Sequence, residues 1–298
     1  DRFTWLEFRR VLFRSEKMTV EDLLKGVAIA SGNDAVVALA ERISGSEEQF
    51  VKRMNIRAKD LGLKNTNFIN ATGLTADNHY SSAYDMSLIA KELVKHEKIL
   101  EFTSTYEDYL RKDTKSPFWL VNTNRLVRFK EGVDGLKTGF TDEAGYCLTA
   151  TMKKDNMRLI TVVMKEENTS KRSSDTTKML DYGFNLYTVK GYLTTKTKVG
   201  TFKNDKSKTG RVNVVPTQDI NVLNKKGNKD RELSYNLEIT KKDIPIKKGD
   251  VIGYLSVHEN NKEIYKINVT VDEDIEKANI LELLLRNIKD IMTGENIM

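Results

Sequence analysis

The chain has one cysteine in 298 residues, Cys147. A disulfide within the chain is therefore excluded, and a thiolate metal cluster has nothing to build it. Cys147 sits in "AGYCLTATM", an apolar strand-like run, where a buried structural thiol is expected. Histidine is almost as scarce. His79, His96 and His258 are far apart, and no pair has metal-ligand spacing. No metal and no cofactor is expected. No run of 18 apolar residues occurs, so the pattern holds no transmembrane helix. The opening stretch "DRFTWLEFRRVLFRS" carries charges throughout, without the apolar core of a signal peptide or a regular period. The composition itself is ordinary for a globular protein, 39% apolar and 31% charged. The length suggests two domains. The net charge is +6, but Lys and Arg are interleaved with Glu and Asp. That scatter argues against nucleic-acid recognition and suits anionic polymers or anionic lipid.

From Thr19 the pattern is regular. "TVEDLLKGVAIA" reads as a helix with Thr19 as N-cap and Leu23, Leu24, Val27 and Ala28 on one face. "SGND" links it to a second helix, "AVVALAERI". A third starts at Ser46, with Gln49 in the capping-box position, and stops at Gly62. "SSAYDMSLIAKELVKH" is a further capped helix. Beyond about residue 117 the period shortens. "GYCLTATM" and "RLITVVM" are rich in β-formers, with a hairpin turn over 153–156, and "LKTGF" precedes them as a third strand. A helix over 173–187 is expected to cover this sheet. Residues 192–272 show only short alternating segments, including a hairpin around Asn260 and Asn261. The tail "DIEKANILELLLRNIKDIM" is amphipathic, with Leu281, Leu284, Leu285, Ile288 and Met292 on one face.

The fold class is therefore α+β: a helical cluster with an antiparallel sheet, then a small all-β domain and a C-terminal amphipathic helix. The expected divisions are 1–16, 17–190, 191–273 and 274–298.

Two short motifs carry the chemistry. Ser31-Gly32-Asn33 lies in the tight link between two helices. Lys137-Thr138-Gly139 lies on a strand before a hairpin. Each alone is a common turn or strand end, and a second Lys-Thr-Gly, at 208–210, reads as coincidence in a charged turn. In this order, and with flanks "MTVEDLLKGVAIASGNDAVVALAE" and "VDGLKTGFTDEAGYCLTAT", the pair resembles the active-site-serine penicillin-recognising enzymes. Over residues 17 to about 292 the chain resembles the D-alanyl-D-alanine carboxypeptidases of the low-molecular-weight penicillin-binding protein type.

The resemblance implies a β-lactamase/transpeptidase-like fold, and removal of the terminal D-alanine from peptidoglycan stem peptides. It implies β-lactams as ligands of the intact family and residence outside the cytoplasm, peripheral on the outer face of the bacterial cell membrane. It gives Ser31 a proton-relay role toward the leaving group and Asn33 a hydrogen bond to substrate. It gives Lys137 positive potential near the substrate carboxylate, and Thr138 a hydroxyl for that carboxylate. It makes Gly139 the clearance that lets a peptide lie along the strand edge, and Arg172 a second basic group for the carboxylate.

One family motif is missing. No serine in the chain has a lysine three positions on, whereas the family acylates the Ser of Ser-x-x-Lys. Residues 1–16 match nothing in that family and read as foreign or mis-assembled, leaving a partial peptidase domain with an unpaired strand edge. The chain is expected to be inactive. A non-catalytic cell-wall peptide-binding protein and a β-lactamase are the competing readings, and the extra β domain and tail weigh against the latter. The tail, 275–292, is expected to lie on a membrane surface.

Overall fold

The structure, a computed structural model, describes residues 11, 12 and 16–293. Most of the segment expected to be foreign, 1–16, lies outside the described residues. The chain divides into two compact units, Asp1–Leu186 and Tyr187–Met298.

The first unit opens with α1 (Val20–Ala30), α2 (Asn33–Ser44) and α3 (Glu47–Asp60). Their caps are those the sequence announces. The Thr19 hydroxyl accepts from Asp22 N at 3.0 Å, and the Ser46 hydroxyl from Gln49 N at 3.2 Å, each satisfying an orphan donor of the first turn. Gly26 of α1 is a close-approach position, because an added Cβ would stand 2.9 Å from Val11 Cγ2. Val11 thereby joins Leu23, Ile29, Ala35, Leu110 and Leu120 in one apolar cluster.

Next come α4 (Ala83–Leu93), capped by Ser82, α5 (Lys98–Thr103), the strands β1 (Glu107–Leu110) and β2 (Phe118–Val121), and α6 (Leu126–Phe129). The β1–β2 ribbon was not evident in the sequence. Each of its strands is four residues long, and only one face is buried. The meander follows as β3 (Val133–Thr141), β4 (Gly145–Lys154) and β5 (Met157–Glu166), in the order β3-β4-β5. The strands run further than expected, so the turn is only Asp155–Asn156, with Asp155 at φ 52°. The covering helix α7 (Thr169–Leu186) starts before the expected 173, because the Asn168 side chain accepts from Lys171 N at 2.8 Å and caps it. Leu180 and Thr176, both fully buried, face inward.

The second unit is all β before its tail. β6 (Tyr187–Leu193) follows α7 with no linker, four residues ahead of the expected 191. It pairs with β9 (Ile220–Lys225). The larger sheet has the order β10-β11-β12-β8-β7. Its strands are β7 (Gly200–Lys203), β8 (Arg211–Pro216), β10 (Ser234–Ile239), β11 (Gly253–Glu259) and β12 (Lys262–Val271). Strict alternation of buried and exposed residues in β9 buries Ile220, Val222 and Asn224. The β11–β12 hairpin turns on Asn260 and Asn261, at φ 48° and 65°, the left-handed pair that a two-residue turn requires.

The tail is helical only from Ile280, as α8 (Ile280–Thr293), so the expected start is corrected. Ile275 instead pairs with Ile246 as a β-bridge and is 1% exposed. Asn279 then caps the helix reciprocally, accepting from Glu282 N at 2.9 Å while its own N–H meets the Glu282 carboxylate at 2.8 Å. Arg286 donates to the backbone carbonyls of Ser207 and Asp205.

Candidate active site

The site forms where the end of α1 meets β3. Ser31 ends α1 in the left-handed conformation, φ 58° and ψ 43°, with its N–H on Val27 O at 3.2 Å. Glycine usually fills that position, since a Cβ is disfavoured there. A serine held in it is a local strain of the kind that clusters at functional sites. It turns the chain sharply, so that Asn33 opens α2 at once.

Lys137, 106 residues further on, donates from Nζ to the Ser31 hydroxyl and to Thr138 O at 3.0 Å. The two motifs are thus brought into direct contact. Thr138 shares a 2.6 Å hydroxyl–hydroxyl bond with Thr123. Gly139 pairs with Cys147 across the ladder, and among the described residues beyond its chain neighbours only the Cβ of Cys147, at 4.0 Å, comes that near the position of its missing Cβ. The strand is open there. Among the described residues no strand pairs with the other edge of β3.

Arg172 lies on α7 and is 6% exposed. Burial lowers its pKa, offset by the neighbouring Cys147 and Tyr146. These two residues lie on β4, on which α7 packs as it does on β5. The Arg172 Nε has no hydrogen-bond partner among the described residues. Cys147 is only half-buried, contrary to expectation. It stands beside the β3–β4 turn, where its Sγ donates to Ala144 O at 3.3 Å.

Three residues that sequence reasoning passed over brace this floor. Thr123, besides its bond to Thr138, donates its N–H to Ile29 O at 3.3 Å. Asn122, buried, donates from Nδ2 to Thr103 O and Thr105 O. Asn124, also buried, donates to Gly135 O at 3.1 Å. The one signal was the polar run "NTN" straight after the apolar "FWLV". The second Lys-Thr-Gly is elsewhere and otherwise engaged: Lys208 pairs with Glu276 at 2.7 Å and Glu282 at 3.4 Å, and those carboxylates raise its pKa.

A hydroxyl held by a lysine, next to an open strand edge and a second hydroxyl, can hold an extended segment that carries a negative charge. The residues are those that the resemblance to the penicillin-recognising serine class singles out.

Comparison with known proteins agrees. The family model for D-alanyl-D-alanine carboxypeptidase matches residues 6–168, starting inside the segment expected to be foreign. The model for the C-terminal domain of penicillin-binding protein 5 matches residues 187–277. D-alanyl-D-alanine carboxypeptidase DacF of Bacillus subtilis is 49% identical over 278 residues, which is 92% of this chain and 71% of that protein. Penicillin-binding protein 5 of Haemophilus influenzae superposes with a TM-score of 0.65 at 33% identity, covering 89% of this chain and 77% of that one. Penicillin-binding protein D2 of Listeria monocytogenes, solved with cefotaxime bound, superposes at 0.52 with 37% identity over 56% and 67% of the two chains. The chain belongs to the D-alanyl-D-alanine carboxypeptidase family of serine hydrolases, with a C-terminal unit of the penicillin-binding protein 5 type.

Proposed function

We propose that this chain grips the D-Ala-D-Ala end of a peptidoglycan stem peptide along the outer edge of β3. Lys137 supplies positive potential at the terminal carboxylate and holds Ser31. Thr138 donates its hydroxyl to that carboxylate, and Arg172 adds the second, buried cation. Gly139 leaves room for the incoming backbone, and Asn33 hydrogen-bonds the substrate. Where the family's Ser-x-x-Lys nucleophile is present, Ser31 passes a proton toward the leaving amine. The contact between Lys137 Nζ and Ser31 Oγ carries the reading, because it joins two motifs that no local fold requires to meet.

Covalent catalysis needs a nucleophile beside a base that takes its proton. The family uses Ser-x-x-Lys, which these 298 residues do not contain. Ser31 faces Lys137 from the relay position and does not replace that serine. The chain as written binds substrate reversibly, forms no penicilloyl adduct and releases no D-alanine. The test is incubation with a fluorescent penicillin, then denaturing electrophoresis and intact mass measurement. An unlabelled band is expected, and an acyl mass shift on any serine would falsify the claim.

The tail supports a location on the outer face of the bacterial cell membrane. Among the described residues no helix is long and apolar enough to cross a membrane. α8 leaves Leu281, Leu284, Leu285, Ile288 and Met292 exposed, between 46% and 83%. An amphipathic helix of this kind lies in the interface plane rather than across it.

A further inference from the structure

The two faces of the β1–β2 ribbon are unlike. Leu110 and Leu120, 1% and 0% exposed, close the cluster beneath α1. On the other face Tyr109 and Trp119 stand directly opposite each other in the ladder. They are 45% and 56% exposed. Directly opposed residues of an antiparallel pair share one side, with Cα atoms about 4.5–5.5 Å apart, so their rings border one outward platform. Glu107 belongs to the same face and is exposed.

The ribbon runs by its own chain into the floor of the site. Two residues beyond the end of β2, Thr123 holds Thr138 through its hydroxyl. From Trp119 to Thr123 is about 13 Å of extended chain. A stem peptide of five residues, extended along the edge of β3, spans about 17 Å. That length exceeds the distance over which the ribbon can stand from Thr123, so a peptide leaving the site toward the ribbon brings its glycan end to it.

We infer that Tyr109 and Trp119 form a sugar-binding platform for the glycan that carries the stem peptide; the inference rests on the function proposed above. A pyranose ring is amphipathic, with C–H groups on its faces and hydroxyls at its rim. Flat aromatic side chains with one polar tip match that division. The Glu107 carboxylate accepts from rim hydroxyls or an N-acetyl N–H. Size favours a sugar over a protein partner. Two half-exposed aromatic side chains offer about 200 Å², against about 800 Å² per partner in a stable protein interface. Aromatic cross-strand pairs also stabilise ribbons, so the test must read ligand rather than fold.

The experiment uses the full chain. The chain has two tryptophans, Trp5 and Trp119, so a Trp5→Phe background leaves Trp119 as sole reporter. Titration with the N-acetylglucosamine tetramer is expected to give a saturable change in its fluorescence. By calorimetry, Tyr109→Ala and Trp119→Ala each weaken that binding about tenfold or more, Trp119→Phe retains most of it, and circular dichroism is unchanged in all three. A sugar-free peptide, diacetyl-Lys-D-Ala-D-Ala, binds with the same affinity in every variant. No saturable signal with the tetramer, or undiminished binding in both alanine variants, overturns the proposal. Concentration-dependent dimerisation lost in Trp119→Ala makes the face a protein contact and overturns it too. Failure of the sugar-free peptide to bind counts against the proposed function, and the tetramer arm is read independently of it.

Discussion

Replacing Lys137 by alanine removes one nitrogen with two identified partners, the Ser31 hydroxyl and Thr138 O. In the peptide complex that nitrogen faces a carboxylate, and a hydrogen bond to a charged group is worth about 1.5–3 kcal/mol. Binding of diacetyl-Lys-D-Ala-D-Ala should therefore weaken roughly 10- to 150-fold. Lys137→Arg should not restore it, because the planar guanidinium cannot take the place of a compact ammonium between two oxygens. The control is internal to the chain. Lys208 stands in the same tripeptide, but its ammonium is engaged by Glu276 and Glu282 in the other unit. Lys208→Ala should leave peptide affinity unchanged. Fluorescence anisotropy on a labelled peptide, with all three variants at one ionic strength, reads this directly. A loss in Lys208→Ala equal to that in Lys137→Ala refutes the reasoning, as does an unaltered Lys137→Ala.

In Gly253→Ala the new Cβ would stand 2.0 Å from Glu238 O, a backbone atom of the neighbouring strand. β10 must move away from β11, at a cost of about 3 kcal/mol. Hydrogen exchange should show protection lost over 234–259 and kept over 133–166, and unaltered exchange over 234–259 counts against this. Burial lowers the pKa of His79, whose Nδ1 accepts from Ile69 N at 3.4 Å. The neutral ring is the folded form, so its contribution is present above pH 6.5 and lost as the pH falls below the unfolded value. NMR titration should place its midpoint under 6.5, and a midpoint at or above that value refutes the assignment. Removing the last 24 residues should abolish flotation with anionic liposomes, and equal flotation of both forms excludes a membrane role for α8.

The helix starts were legible because capping is local. Thr19, Ser46 and Ser82 each accept from the backbone N–H three residues on, which is a pattern within one turn. The Asn260–Asn261 turn was legible for the same reason. Two starts were missed although their caps are equally local: Asn168 sits in "ENTSK", and Asn279 in "ANILE" forms a reciprocal cap with Glu282. Amphipathic periodicity on either side outweighed them. The β1–β2 ribbon was missed because its strands are only four residues long, and an apolar run as short as Phe118–Val121 has no period to tell a strand from other structure. The site divides in the same way. Its members came from resemblance, because nothing in the spacing of Ser31 and Lys137 shows that they touch. Thr123 belongs to no motif and is visible only through its bond to Thr138.

The meander has a second consequence, for how the molecule behaves in company. Among the described residues its sheet ends at β5 as well as at β3, and the two rims differ in chemistry. β3 presents Lys137 and Gly139, a charge and a poor β-former, and such a rim resists copying itself. β5 runs ten residues, Met157–Glu166. Its central stretch, Leu159 to Met164, has no charge and no proline. Backbone pairing does not depend on whose chain supplies the strand, so at high concentration this rim is the template on which a second molecule's β-rich segment adds. Concentrated solutions should thicken through β5 before the substrate edge is ever engaged by a neighbour.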